Sequence, residues 1–118
     1  MVLVSTLEQE LMTRYMMKEQ KSGTMINISS VCARQCWPTW SVYAAAKAGI
    51  SNFTAFLATE VAKKFGEKIR VNAIAPGFFL TEQNRTLLTN PDGSWTQRGA
   101  DVIRQTPFGR MGEPEELC

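Results

Sequence analysis

Three side chains between residues 30 and 47 have the types and the spacing needed to move a proton. Tyr43 and Lys47 stand four positions apart in an alanine-rich segment, so both should project from one helix face, about one turn apart. A positive charge beside a phenol favours the phenolate, which allows a tyrosine with a reference pKa of about 10 to act near neutral pH. Ser30, thirteen positions before Tyr43, could be returned by the intervening loop to hydrogen-bond the same reacting oxygen. A Tyr-x-x-x-Lys spacing alone also occurs by chance, so these residues predict an acid–base site only in a suitable context.

The composition excludes several other kinds of site. The 118 residues include no histidine, which excludes histidine-based triads and histidine zinc sites. A net charge of +2, dispersed along the chain, gives neither a nucleic-acid footprint nor a membrane-binding surface. The three cysteines lack both zinc spacing and an even disulfide count, so we expect reduced thiols and no metal. Residues 1–20 lack a signal-peptide layout, and we expect a cytoplasmic protein.

The elements around the candidate residues predict an α/β fold. Apolar residues at helical spacing predict an amphipathic helix over residues 2–20, with Gly23 in the left-handed position beyond its end. The runs 24–29 and 68–75 predict two strands buried on both faces. Between them, a long helix should extend over residues 41–65. Strand, helix and strand in this order predict a βαβ unit with a parallel sheet.

The long helix has recognisable ends. Ser41 is the candidate N-cap, and Gly66 should stop the helix. Its apolar stripe is predicted to contain Val42, Ala46, Ile50, Phe53, Leu57 and Val61. The aromatic and sulfur-bearing loop 31–40 before it has two interpretations of equal weight: a cover over the core, or one wall of a substrate pocket.

The remainder of the chain predicts short helices. Residues 81–88 and 95–105 are separated by the turn 90–93, and a further helical turn should begin near residue 113. The loop 76–81 follows a predicted parallel strand, and the carboxyl ends of such strands are where these sheets hold ligands.

Four segments in this order resemble the second half of the short-chain dehydrogenase/reductase family. They are GTMINISS (23–30), YAAAK (43–47), RVNAIAPG (70–77) and GRMGEPEEL (109–117). The resemblance covers nearly the whole chain and implies a partial Rossmann-like fold, a doubly wound parallel sheet of which only the second half is present. It also implies an oxidoreductase that uses NAD or NADP, and the family spacing of serine to tyrosine selects Ser30 over Ser29.

The family resemblance implies a role for each matching residue. Tyr43 would donate or accept the substrate proton, Ser30 would polarise the same oxygen, and Lys47 would favour the Tyr43 phenolate and bind the nicotinamide ribose. The implied cofactor-binding set is Tyr43, Lys47, Pro76, Gly77, Phe79 and Thr81. The backbone of Phe79 and the hydroxyl of Thr81 would hold the nicotinamide carboxamide.

Two features of the family are absent from the sequence. No G-x-G-x-x-G cluster is present, although this loop holds the cofactor phosphates, and the family's catalytic asparagine is missing too. We therefore expect residues 1–118 to be one incomplete domain, the carboxyl-terminal half of an oxidoreductase. Such a piece should bind dinucleotide poorly by itself and be inactive, while the full-length protein should form a homo-oligomer, a dimer or a tetramer.

The segment 76–85 (PGFFLTEQNR) and the segment 106–117 (TPFGRMGEPEEL) resemble the D-mannonate oxidoreductases, also called fructuronate reductases. The reaction implied is the interconversion of D-mannonate and D-fructuronate. Ser30, Gln83, Asn84 and Arg85 would then bind the sugar acid, and Arg85 could grip a carboxylate through two hydrogen bonds. The alternatives are an oxidoreductase for another polyol, keto sugar or 3-oxoacyl substrate, and a silent fragment that retains only assembly helices.

Overall fold

The computed structural model describes residues 11, 13–35, 37–38 and 40–117. The chain divides into two compact units, Met1–Pro76 and Gly77–Cys118, and each is described by itself. That residues 1–118 are one incomplete domain stays a prediction.

The first unit is built on a strand, a long helix and a second strand. Strands β1 (Gly23–Ile28) and β2 (Ile69–Ile74) pair in parallel, with Gly23 opposite Ile69 and Ile28 opposite Ile74. Helix α1 (Ser41–Phe65) connects them. The α/β class and the parallel pairing predicted from the sequence are confirmed for these residues.

Helix α1 has the predicted length, but its N-cap is one residue earlier than expected. Trp40 is the capping residue and Ser41 already belongs to the helix, because the carbonyl of Trp40 accepts the first helical hydrogen bond, from the Ala44 amide at 2.8 Å. The predicted Ser41 cap is therefore wrong. The predicted stop is confirmed, since Gly66 has a φ of 63°, a conformation that glycine adopts without the cost of a Cβ.

The core of the first unit lies between α1 and the two strands. Val61, Ile69 and Val71 are buried there, and the partly buried hydrophobic residues Met16, Met25, Leu57, Ala58 and Phe65 pack against them. Val42, predicted to belong to the helix stripe, is instead 84% exposed. A spacing of four drifts against the helical repeat, so that Val42 is rotated by roughly 100° from Val61 around the helix axis.

Both strands were predicted to be buried on both faces, and this is wrong for the described residues. In β1 the burial alternates, with Asn27 buried while Ile26 and Ile28 are 58% and 53% exposed. Apolar residues on both sides of a strand are typical of a sheet covered by two layers. Among the described residues, α1 covers one face of the sheet. Ile26 and Ile28 lie on the other face and are exposed.

The segment before β1 ends differently from the prediction. Residues 13–15 are helical and continue into a π-helical turn, Met16–Gln20. Residues 2–10 and 12 of the predicted helix lie outside the described residues. Lys21, with a φ of 56°, is the left-handed residue, and not Gly23. Gly23 is small for another reason, since a Cβ there would lie 2.9 Å from the sulfur of Met16.

The second unit contains two short helices, α2 (Glu82–Leu88) and α3 (Gln97–Gln105), and a 3₁₀ turn, Pro114–Leu117. The predicted helices began slightly too early, because Thr81 and Thr96 are N-caps. Leu88, Val102 and Met111 are buried. None of the helices in the described part of the chain combines the length and the apolar character needed to cross a bilayer.

Candidate active site

Ser30 lies just beyond the carboxyl end of β1 and caps the 3₁₀ turn Val31–Ala33. Its backbone is extended, and its Oγ accepts a hydrogen bond from the Cys32 amide at 3.2 Å. The side chain is buried at 8% exposure, yet no described residue accepts the hydroxyl proton. The capping bond therefore fixes the oxygen and leaves its proton available to a ligand.

Tyr43 and Lys47 lie next to each other at the start of α1. The Nζ of Lys47 is 5.7 Å from the centroid of the Tyr43 ring, within the range of a cation–π contact. The ring of Trp40 meets the Tyr43 ring edge-on, with centroids 5.9 Å apart. Tyr43 is 40% exposed, and its hydroxyl has no hydrogen-bond partner among the described residues. The Tyr43 ring thus lies between the Trp40 ring and the Lys47 ammonium group, and no described residue bonds to its hydroxyl.

Lys47 also connects α1 to the end of β1. Its Nζ donates to the carbonyl of Ile28 at 2.9 Å. Ile28 is two residues before Ser30, a backbone span of at most about 7 Å. Because an ammonium has three donors, this bond holds Lys47 at the strand end and leaves two protons for other partners.

The two neighbouring serines differ in what their hydroxyls do. Ser29 Oγ lies 3.1 Å from the Lys47 carbonyl oxygen and 2.6 Å from Ser51 Oγ, and Ser51 Oγ lies 3.1 Å from the same carbonyl oxygen. The two hydroxyl protons serve these three contacts. Ser29 is therefore committed to holding the helix against the strand. The choice of Ser30 over Ser29, made from family spacing, stays a prediction; the two hydroxyls differ in that Ser29 bonds to the helix and Ser30 caps the turn that follows.

A buried polar pair that the sequence reasoning missed lies further along the same contact. Asn27 Nδ2 donates to Thr54 Oγ1 at 2.8 Å, and Thr54 Oγ1 donates to the Ile50 carbonyl at 2.7 Å. Asn27 and Thr54 are 3% and 6% exposed. The signal in the sequence was a lone asparagine inside an apolar strand, since a buried amide requires a partner.

The loop predicted to bind the cofactor begins at the end of the first unit. There the carbonyl of Pro76 accepts a hydrogen bond from the Val31 amide at 3.0 Å. In the second unit, the carbonyl of Phe78 accepts from the Gly112 amide at 2.9 Å, and Phe79 forms a parallel bridge with Gly112. A Cβ at Gly112 would lie 2.5 Å from the Phe79 ring, so the ring packs directly against the Gly112 backbone.

Asn84 organises the same loop from the first turn of α2. Its Nδ2 donates to the Phe79 carbonyl at 2.8 Å, and its Oδ1 accepts from the Thr81 amide, also at 2.8 Å. Both ends of the predicted substrate-binding amide are thus bonded to backbone. Gln83 and Arg85, the neighbouring predicted substrate residues, are exposed.

An ion pair between Arg110 and Glu116 joins the residues on either side of Gly112, which contacts Phe78 and Phe79. Arg110 donates to both carboxylate oxygens of Glu116, at 2.9 and 2.7 Å. These side-chain bonds, and then the Glu113 amide, lower the pKa of Glu116 to about 2. The same bonds raise the pKa of Arg110. Fork-to-fork pairing of this kind fixes geometry as well as charge.

The sequence of this chain is similar to a known protein family and to several of its members. A family model described as short chain dehydrogenase matches residues 4–92. The uncharacterized oxidoreductase UxuB of Bacillus subtilis is 48% identical over 96 residues, which are 81% of this chain and 34% of that protein. The 3-oxoacyl-[acyl-carrier-protein] reductase FabG of Chlamydia trachomatis is 42% identical over 102 residues, which are 86% of this chain and 37% of that protein.

A solved structure shows a similar fold with a cofactor in place. It is a protein from Haemophilus influenza, assigned as a D-mannonate oxidoreductase and crystallised with bound NAD. Its TM-score is 0.71 at 46% identity, over 80% of this chain and 33% of that one. The chain thus spans about a third of the length of each of these proteins.

Proposed function

The chain belongs to the short chain dehydrogenase family, and from this premise we propose that the complete protein interconverts a secondary alcohol and a ketone with NAD or NADP. The observation that carries the proposal is the contact between Tyr43 and Lys47, with Lys47 tied to the Ile28 carbonyl at the strand end. Tyr43 would be the proton donor, and the positive charge of Lys47 would stabilise its deprotonated form. The bond of Lys47 to Ile28 connects both residues to the strand that leads into Ser30.

Each of the three residues has one step to perform. In the reducing direction Tyr43 gives its hydroxyl proton to the carbonyl oxygen of the substrate, and in the oxidising direction it takes that proton back. The charge of Lys47 stabilises the phenolate that forms. Ser30 donates its hydroxyl proton in a hydrogen bond to the same oxygen and polarises the carbonyl.

The proposed cofactor is a nicotinamide dinucleotide, which when bound supplies or accepts the hydride. Lys47 has two protons left for ribose hydroxyls after its bond to Ile28. The Phe79 carbonyl has a second lone pair beside its bond to Asn84. Pro76, Gly77, Phe79 and Thr81 are the proposed cofactor loop, with the Phe79 backbone and the Thr81 hydroxyl on the carboxamide.

For the substrate we propose D-mannonate and its oxidation product D-fructuronate. The likeness to the Haemophilus protein and the resemblance of segments 76–85 and 106–117 support this choice. Arg85 and Gln83 are exposed in the first turn of α2, and a guanidinium suits the carboxylate of a sugar acid. The similarity to the Chlamydia reductase favours a second candidate, a 3-oxoacyl substrate.

We also propose that the complete protein is cytoplasmic and homo-oligomeric. The solvent side of α1 supports assembly, since Val42 and Phe56 are 84% and 60% exposed.

The test is an assay of the complete protein that contains this chain, with NADH and NADPH against D-fructuronate, other keto sugars and a 3-oxoacyl thioester. Replacing Tyr43 by Phe should lower kcat by at least about 100-fold, since it removes the proton donor and keeps the ring. Tyr15→Phe is the matched control, because Tyr15 is the other tyrosine of the chain and is exposed. Unchanged kcat in Tyr43→Phe would refute the role of Tyr43. A wild-type protein that turns over none of these ketones would favour the assembly role over the enzyme.

A further inference from the structure

The side chain of Asn84 is saturated by the backbone of the loop that precedes it. The amide nitrogen donates to the Phe79 carbonyl and the amide oxygen accepts from the Thr81 amide, each at 2.8 Å. In addition, the Asn84 backbone amide donates to the Thr81 carbonyl at 3.2 Å. Three hydrogen bonds therefore connect one residue to both ends of a three-residue segment.

The two side-chain bonds define the loop conformation because they have opposite polarity. A donor must face Phe79 and an acceptor must face Thr81, so a flipped amide would lose both bonds. The bond to Phe79 is partly buried, which makes an unpaired carbonyl there costly. On the other side of the loop, the Gly112 amide holds the Phe78 carbonyl. Phe78 and Phe79 are thus held from two directions, by the Gly112 backbone and by the Asn84 side chain.

We infer that Asn84 is a positioning residue for the cofactor loop and does not bind the substrate. This inference rests on the proposed function, in which the Phe79 backbone and Thr81 contact the nicotinamide carboxamide. A loop already fixed in its binding conformation spares the dinucleotide the cost of ordering it. Asn84 should therefore affect the affinity for the dinucleotide and have little effect on the affinity for the sugar acid.

The sequence prediction and this inference make opposite statements about Asn84→Ala. If the residue positions the loop, the KM for the dinucleotide should rise about tenfold, while kcat and the KM for the ketone change less than about twofold. If the residue binds the sugar acid, the KM for the ketone should rise instead. A rise confined to the ketone KM, or no change in either KM, would overturn the inference.

Asn84→Asp separates the two bonds of the clamp. A carboxylate still accepts from the Thr81 amide but has no donor for the Phe79 carbonyl. Amide hydrogen exchange at Thr81 should therefore stay slow in Asn84→Asp and become fast in Asn84→Ala, while the dinucleotide KM rises in both. Because Asn84→Asp keeps the size of the side chain, it decides the question even if Asn84→Ala fails to fold. Fast Thr81 exchange in Asn84→Asp, or an unchanged dinucleotide KM in this variant, would contradict the clamp.

Asn90→Ala is the matched control. Asn90 lies in the same unit and its Nδ2 also bonds locally, to Ser94 Oγ at 2.9 Å and to the Trp95 carbonyl at 3.3 Å. Its loss should leave the dinucleotide KM unchanged, and an equal rise would show a general loss of structure that overturns the inference. A wild-type protein that binds neither dinucleotide would overturn the proposed function together with this inference. Normal wild-type turnover with an unchanged KM in the Asn84 variants would overturn the inference alone.

Discussion

Two helical glycines should respond in opposite ways to the same substitution. Gly49 lies within α1 and Gly99 within the first turn of α3. Alanine is favoured over glycine in a helix by up to about 1 kcal/mol, so propensity alone predicts that both replacements stabilise the protein. The surroundings of the two Cβ positions differ, and this difference decides the sign.

At Gly49 a Cβ would meet nothing within 4 Å, whereas at Gly99 it would overlap the carbonyl oxygen of Leu88 and lie 3.1 Å from the Trp95 ring. The Leu88 carbonyl cannot easily move, since it accepts a hydrogen bond from the Thr96 amide at 3.0 Å. Overpacking against fixed atoms typically costs about 1–3 kcal/mol. Gly49→Ala should therefore stabilise the protein by about 0.5–1 kcal/mol, and Gly99→Ala should destabilise it by about 1–2 kcal/mol after the propensity gain.

Urea unfolding of both variants, followed by circular dichroism and by tryptophan fluorescence, measures the two effects. The midpoint should rise for Gly49→Ala and fall for Gly99→Ala, with amide exchange in α2 and α3 faster only in the second variant. A Gly99→Ala protein as stable as the wild type would refute the close approach of α3 to the end of α2. A destabilised Gly49→Ala protein would show that helix propensity does not control that position.

The remaining predictions concern Arg85 and Glu116. If Arg85 binds the sugar acid as proposed, Arg85→Leu in the complete enzyme should raise the ketone KM about tenfold or more without changing the dinucleotide KM, and an unchanged ketone KM would remove Arg85 from the site. The Arg110 side chain and the Glu113 amide lower the pKa of Glu116 from 4.5 to about 2. The ionised Glu116 therefore stabilises the folded state at any pH above about 4.5, and this contribution is lost as the pH falls from about 4.5 to about 2. The unfolding midpoints of wild type and Glu116→Gln should differ at pH 7 and converge over that interval; a difference independent of pH would contradict the pairing.

The sequence predicted the elements of the fold better than their ends. The bounds of α1 followed from a long alanine-rich run and from Gly66, both local signals. The N-cap was misplaced because Ser41 has a favourable side chain, while the cap that forms depends on which carbonyl accepts the first helical bond, here Trp40. Similarly, Lys21 and not Gly23 takes the left-handed conformation, because the π-helical turn already ends at Lys21, whose amide donates to the Met16 carbonyl, and Gly23 belongs to β1.

The candidate site was predictable where chemistry fixes a spacing and unpredictable where packing fixes a contact. Tyr43 and Lys47 share a helix face by geometry alone. The bonds of Asn27 to Thr54 and of Ser29 to Ser51 join residues 27 and 22 positions apart, a separation over which helical and strand periodicity give no register. The backbone bonds of Asn84 were missed for another reason, since an exposed-looking asparagine between Gln83 and Arg85 is equally typical of a ligand-binding side chain.

Those long-range bonds share one pattern that explains how the site is aligned. Asn27 and Ser29 are two apart and so face the same side of an extended chain. Ser51 and Thr54 lie four and seven positions after Lys47, a spacing that also keeps them on one helix face. Asn27 bonds to Thr54, while Ser29, further along the strand, bonds to Ser51 and to the Lys47 carbonyl, which come earlier in the helix. These polar residues form a row of bonds, here called the polar seam, along which the helix runs opposite to the strand.

This polar seam fixes where α1 begins relative to the end of β1. Hydrophobic contacts alone tolerate a slide of the helix along the sheet, since apolar burial is not directional. A slide of one turn would break the Asn27 bond and leave a buried amide unpaired, which costs about 1–3 kcal/mol. With the seam in place, Lys47 reaches the Ile28 carbonyl, and Tyr43 is held one turn before it. The residue after Ser29 is Ser30, so the bonds of Ser29 also fix the position of the serine that is proposed to bind the substrate oxygen.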